Sequence, residues 1–332
     1  MAVIIEDHLH ELRQLVREVL ARDVSDHGLA REHGTAALQE RRRDVIGVGA
    51  LDAASAVDAG GLGLEGAAAV AAEAARFSGS LGWTLVPSLL LRALGEDVDA
   101  DRIGMATRLT GTVPAADSSG RLEGVAAVVL DGAEADAILI VGGGAVVIAP
   151  RTAVAAVNRI HSYEGLRGAE HAELVFDGAG RVLATTTSDA ESALRILAGA
   201  VAVGIGEAAV ASARNYQRQR IQFGRPIAEY GEMRAMLADG AERVMTARQA
   251  VLGAARVGVA RPASTAGAAA AFLAASGAAV RAAEMAQHSH GGYGHMTEFA
   301  VHTLVRDARM IAVCAGSHPE LDEAVLTGID QI

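Results

Sequence analysis

Lysine is absent from the 332-residue sequence, and all 29 basic residues are arginine. Without lysine no Schiff base can form, which excludes pyridoxal phosphate attachment. A Walker A loop, which needs Gly-Lys-Ser/Thr, is excluded for the same reason. Positive charge is scarce overall: 29 arginines stand against 40 acidic residues, for a net charge of −11. That balance argues against nucleic acid as a partner. Cysteine is scarcer still, and the lone Cys314 rules out an intrachain disulfide and any Cys₄ or Cys₃His zinc site. Aromatics make up only 3% of the chain although hydrophobic residues make up 51%. The apolar bulk is therefore Ala, Val and Leu, a composition suited to closely packed helices.

Residues 1–20 carry Glu6, Asp7, Glu11 and Glu18 and lack a basic stretch followed by an apolar run. No signal peptide is read there, and a cytoplasmic location is expected. Residues 263–280 are uncharged and about long enough to span a bilayer. They consist mainly of Ala, Gly, Ser and Thr, which insert poorly, so a buried bundle helix and no membrane partner are expected.

Apolar residues at helical spacing predict helices over 8–21, 67–77 and 89–94, interrupted by Gly60-Gly61-Leu62-Gly63. From 105 to 183 short Val/Ile/Leu runs alternate with Gly, Asp and Pro. This texture predicts strands at 125–130, 137–141, 145–148 and 172–176. Helical spacing then returns. Ser188 or Asp189 is expected to cap a helix running past Arg195 and Glu207 to Arg218, ended by Gly224-Arg225-Pro226. Further helices are expected over 232–257 and 265–288. The expected fold class is α+β, with an N-terminal helical domain (1–104), a middle β domain (105–185) and a C-terminal helical bundle (186–332).

None of the glycine clusters has the strand, glycine turn and helix order of a dinucleotide fingerprint. Gly60-Gly61-Leu62-Gly63 and Gly142-Gly143-Gly144 read as turns, and Gly291-Gly292-Tyr293-Gly294 follows a helix. His288, His290 and His295 lie close together, but without an HExxH pattern or a nearby carboxylate pair no metal site is expected.

Two longer segments are more specific. The first runs Tyr216-Gln-Arg-Gln-Arg220-Ile-Gln222-Phe223-Gly224-Arg225-Pro226-Ile227, followed by Leu237-Ala238-Asp239. The second runs Gln287-His-Ser-His-Gly291-Gly292-Tyr-Gly294, then Thr297-Glu298 and Val305-Arg306-Asp307-Ala308-Arg309. Together they resemble the C-terminal domain of the acyl-CoA dehydrogenase family. Gly60-Gly61-Leu62-Gly63-Leu64, Leu166-Arg167-Gly168 and Leu174-Val175-Phe176-Asp177 extend the resemblance along most of the chain.

The resemblance implies an acyl-CoA dehydrogenase-like fold and an FAD-dependent oxidation of the Cα–Cβ bond of a CoA thioester. It also implies a flavin lying across a subunit boundary. By resemblance, Arg220 would pair with the pyrophosphate of a partner's FAD, Gln222 and Phe223 would line the same end, and Gln287, Gly291 and Gly292 would approach the adenosine. The complementary half departs from the family. Val128-Val129-Leu130 stand where the family carries Trp-Ile-Thr against the flavin ring, and the flavin loop has no clear counterpart in 107–120. Ala315 occupies the usual position of the catalytic glutamate, and Leu194 its alternative position beside Arg195.

The expected role is therefore a subunit without a catalytic residue of its own in a heteromeric acyl-CoA dehydrogenase. Its partner would be a second family chain that carries the catalytic Glu and binds most of the acyl-CoA. An electron-transfer flavoprotein or similar acceptor would take the electrons. The chain resembles the actinobacterial α2β2 enzymes of steroid side-chain oxidation, which makes bulky steroid-CoA thioesters the implied substrates. Two alternatives stay open: a self-sufficient homotetramer using Glu191, Asp189 or Glu284 as base, with Cys314 a poor substitute, and a non-redox scaffold of the same fold.

Overall fold

The computed structural model describes residues 2–21, 35–55, 57, 60–258 and 264–329. Four helices come first: α1 (Ala2–Ala21), α2 (Thr35–Gly47), α3 (Gly63–Phe77) and α4 (Gly79–Ala93). An eight-stranded sheet follows: β1 (Ile103–Thr107), β2 (Ala115–Ala116), β3 (Arg121–Leu130), β4 (Ala137–Gly142), β5 (Ala145–Pro150), β6 (Val154–Arg159), β7 (Ala172–Ala179) and β8 (Arg181–Val182). The chain then returns to helices with α5 (Thr187–Gln219), α6 (Gly231–Val257), α7 (Ser264–His290), α8 (Val301–Ile311) and α9 (His318–Ile329). Between α5 and α6 lies a small hairpin, β9 (Ile221–Gln222) and β10 (Arg225–Pro226). The order of helices, sheet and helices expected from the sequence is the order observed.

The sheet runs β6-β7-β3-β1-β4-β5-β8, with β2 on the flank of β3. Only the β1–β4 pair is parallel. Gly142, Gly143 and Gly144 make the turn between β4 and β5, all three with positive φ. A Cβ on Gly143 would lie 2.6 Å from the Pro114 carbonyl oxygen, so the turn closes against the loop after β1. The largest apolar core joins the helices to one face of the sheet, and a smaller one fills the other face around Ile138, Leu174 and Phe176.

Two local expectations need correction. The cap of α5 is Thr186, whose hydroxyl accepts from the Asp189 amide (3.1 Å), rather than Ser188 or Asp189. Three threonines in a row (185–187) offer competing caps, and the sequence alone does not rank them. Helix α4 begins ten residues before the predicted 89–94 segment and continues through Pro87. Every residue of α4 from Gly79 to Leu91 is buried, so no polar face marks the 3.6-residue period.

Helix α5 forms the axis of the bundle, packed on α3, α6 and α7. Small residues allow that closeness: a Cβ on Gly204 would sit 2.2 Å from the Ala72 carbonyl oxygen of α3. Helix α7 lies between α5, α6, α8 and α9 and contains most of the 263–280 segment, residue 263 itself falling outside the described residues. Both α5 and α7 are long and apolar enough to cross a membrane, and most of each apolar stretch is buried within the fold.

One buried group makes this fold acid-sensitive. The His171 imidazole accepts the Asp131 amide hydrogen at Nδ1 (3.2 Å), its ring centroid is 4.4 Å from that of Tyr163, and burial pushes its pKa from 6.5 to about 4. The folded chain resists protonation here while the unfolded chain accepts it near 6.5. The stabilisation from neutral His171 is complete above pH 6.5 and is lost as pH falls through about 4. The full window corresponds to a loss on the order of 3 kcal/mol. Urea denaturation between pH 7 and 4 should show this decline, and H171F should flatten it.

Candidate functional site

The C-terminal end of α5 opens onto a cleft of about 580 Å³. Arg220 caps the helix and Gln222 ends β9 of the hairpin, both lining the cleft. Across from them α7 ends in a short turn, Gly291–His295, that contributes Gly291, Gly292 and Tyr293. Gly291 has φ +57, and a Cβ at either Gly291 or Gly292 would meet nothing within 4 Å. The backbone of the turn is therefore exposed to whatever enters. Arg220 lies 5.6 Å over the Tyr293 ring and has no ion-pair partner among the described residues. A fixed cation facing bare backbone suits a phosphate group, which a guanidinium can grip by two hydrogen bonds.

Four of the six residues singled out from sequence meet here: Arg220, Gln222, Gly291 and Gly292. The other two have different placements. The Gln287 side-chain amide donates to the Gly294 carbonyl (3.2 Å), so it braces the glycine turn from behind. Phe223 projects outward, 94% exposed, at a left-handed φ of +50. With Gly224 at φ +82 it forms the two-residue turn of the hairpin, where both central residues take positive φ. A β-carbon makes that conformation costly, on the order of 1 kcal/mol. The Tyr230 hydroxyl holds the hairpin by donating to the Gln222 carbonyl (3.0 Å).

The sequence reading missed the cleft's aromatic wall. Tyr216 and His290 stack with ring centroids 4.1 Å apart, and Phe299 meets both rings edge-on. Burial lowers the His290 pKa, and its Nδ1 lies 2.7 Å from the Ala286 carbonyl oxygen, so the neutral ring donates there. Residues 216 and 290 lie far apart in sequence, although each falls inside one of the two motif segments.

The other end of α5 is closed. Ala315 and Leu194, where the family resemblance looks for a glutamate, are both fully buried. Around them runs a chain of charges that also fills the approach. Glu191 Oε2 accepts from Arg108 Nη2 (2.6 Å), and its Oε1 lies 2.6 Å from Nε in an ion contact without hydrogen-bond alignment. Arg108 also reaches Glu320 (3.2 Å), Glu320 reaches Arg195 (3.1 Å), and Arg195 donates to the Ala315 carbonyl (3.3 Å). Two arginines and two glutamates sum to no net charge. Glu191, held by Arg108, is poorly placed to take a proton from a substrate.

The remaining base candidates fare no better. Glu284 pairs with Arg309, and Asp189 sits in the first turn of α5. Burial pushes the Cys314 thiol up to about 12, and its Sγ lies 3.2 Å from the Met310 carbonyl oxygen.

The sheet surface beside this cluster is partly covered. β3 bulges between Ala126 and Val129, and within the bulge the Ala127 amide donates to the Thr112 carbonyl (3.1 Å). A Cβ on Gly111 would lie 3.6 Å from that of Ala127. The loop after β1 thus lies over Val128. The loop and the charge chain thus occupy the surface where the resemblance looks for a flavin ring, whereas the residues of the Arg220 cleft fit a pyrophosphate and adenosine.

Residues 185–319 match the model of the C-terminal domain of acyl-CoA dehydrogenases. This segment is thus similar to the C-terminal domain of the acyl-CoA dehydrogenase family. A Bacillus subtilis acyl-CoA dehydrogenase is 37% identical over 164 residues, covering 46% of this chain and 43% of that protein. The chain spans about half the length of the curated relatives it matches. Solved structures extend the likeness in fold over almost all of the chain. The ChsE4–ChsE5 complex from Mycobacterium tuberculosis matches with a TM-score of 0.73 at 23% identity, covering 98% of this chain and 97% of that one. A steroid ACAD, Tcur3481–Tcur3483, matches with a TM-score of 0.77 at 20% identity over 98% and 99%. Acyl-CoA dehydrogenases use FAD.

Removing one member of the charge chain should expose its cost. R108A leaves the buried Glu191 carboxylate without its cation and should destabilise the protein by about 1–3 kcal/mol. The double variant R108A/E191L should recover most of that loss in thermal denaturation, because no buried charge is then left unpaired.

Proposed function

We propose that this chain is the subunit of a heteromeric acyl-CoA dehydrogenase that completes a partner's FAD site and has no reaction site of its own. One contrast along α5 carries this reading. Arg220, Gln222, Gly291 and Gly292 form an open, cationic cleft at one end, while Arg108, Glu191, Arg195 and Glu320 close the other around Ala315. About 38 Å of helix separates Arg195 from Arg220 at the usual rise per residue. Two ends of one helix at that distance serve different active sites more readily than one.

In this reading Arg220 neutralises the FAD pyrophosphate, and the bare backbone at Gly291–Gly292 lies against the adenosine. Gln287 keeps that turn in place. The bound flavin supplies the acceptor for the β-hydride of the acyl-CoA, while the partner supplies the glutamate that takes the α-proton. A bulky steroid-CoA thioester bound chiefly by the partner is the proposed substrate, in keeping with the fold shared with the steroid ACAD. The complex is proposed to act in the cytoplasm and to pass electrons to an electron-transfer flavoprotein or similar acceptor.

Flavin content per subunit in the complex co-purified with the product of the adjacent gene tests this directly. A value below one per chain is expected, and R220A should lower it further. A315E alone should give no turnover, because the charge chain and the partly covered sheet remain. A yellow, active homomer purified from this chain alone would overturn the reading. A complex free of flavin would favour a scaffold instead.

A further inference from the structure

A second recess, about 660 Å³ in volume, lies on the bundle surface between α1, α3, α5 and α6 and shares no residue with the Arg220 cleft. Its floor is apolar and shallow-sided: Ala68, Ala69 and Ala72 from α3, Ala200 and Val203 from α5, and Val244 from α6. Alanines at the facing positions leave space that larger side chains would fill. The volume lies within the range of about 300–1,000 Å³ typical of small-molecule pockets.

The rim is cationic. Arg13, Arg17, Arg76, Arg214, Arg248 and Arg256 all line it. Most of these arginines meet carboxylates. Buried Glu73 contacts Arg13, Arg17 and Arg76; Glu207 pairs with Arg248, and Glu65 with Arg256. Arginines thus crowd this recess on a chain whose net charge is −11. Arg214 is exposed and has no ion-pair partner among the described residues. It lies on the same face of α5 as Glu207, Val210 and Ala211, all of which line the recess, at the three- and four-residue spacing of a helix face.

We infer that this recess binds an amphipathic anion: an apolar body lying on the alanine floor, with its carboxylate or phosphate head at the Arg214 side of the rim. Floor and rim select together. A small inorganic anion gains nothing from the apolar surface, and a neutral apolar molecule leaves Arg214 without an anion. A long-chain fatty carboxylate and a long-chain acyl-CoA share the required chemistry. The inference stands apart from the subunit role proposed above, since it uses neither end of α5.

Isothermal titration of the full chain, alone or with the partner it co-purifies with, tests the site using palmitate, palmitoyl-CoA and CoA without an acyl chain as probes. Binding of palmitate assigns a carboxylate head; binding of palmitoyl-CoA but not palmitate assigns the phosphates; CoA alone should bind far more weakly than palmitoyl-CoA. R214E should weaken the binding amphiphile about tenfold by replacing an attractive head contact with a repulsive one. A211F should weaken it as well by filling the recess beside Arg214. R220A should leave it unchanged, which separates this site from the flavin cleft. The inference is overturned if neither amphiphile binds, or if binding survives R214E and A211F undiminished in correctly folded protein.

Discussion

The approach of α5 to α3 is the constraint on which the other features rest. At Gly204 the two backbones come so close that a single methyl group would strike the Ala72 carbonyl. Contact of that kind fixes the axial position and rotation of a helix about 50 Å long at the usual rise per residue. Once α5 is set, its first turns present Glu191 and Arg195 to the sheet and to α9, its later turns present Glu207 and Arg214 to the recess, and its C-cap, Arg220, faces the cleft. The low aromatic content belongs to the same design. Helices this close leave room for alanine and glycine, and few rings can be accommodated between them.

What was legible in the sequence followed from how locally each feature is determined. The segment from Arg220 to Ile227 encodes its hairpin within eight residues, and the glycine turn after α7 is equally self-contained. Both carried recognisable spacing, and both are cleft elements in the structure. The roles of single side chains within them were less legible. Gln287 and Phe223 share the motif with Arg220, yet one faces back into the turn and the other faces solvent. The charge chain could not be read at all. Arg108 and Glu191 are 83 residues apart, Arg195 and Glu320 are 125 apart, and only the folded arrangement of sheet, α5 and α9 unites them. Helix α4 was hidden for a different reason: full burial removes the polar face by which periodicity is recognised.

An arginine-only composition also changes the character of the buried ion pairs. A buried lysine can escape its desolvation cost by losing its proton, whereas a guanidinium stays charged at any physiological pH. Burial lowers the Arg195 pKa, but from a value so high that the charge persists. Each arginine placed in the interior must therefore bring a carboxylate or a carbonyl with it. The fold shows this at Arg102 with Asp131 and Glu170, at Arg13 with Glu73, and at Arg195 with Glu320 and Ala315. Such clusters hold elements together without switching.

Phe223 adds a last point, about entropy. Its backbone is already held in the left-handed region by the hairpin, and the Tyr230 hydroxyl steadies the strand before it. The ring therefore stands out from the surface on a support that has already given up its freedom. A surface that receives this ring loses little further chain entropy in doing so, and the strain at residue 223 is set during folding rather than drawn from the binding energy.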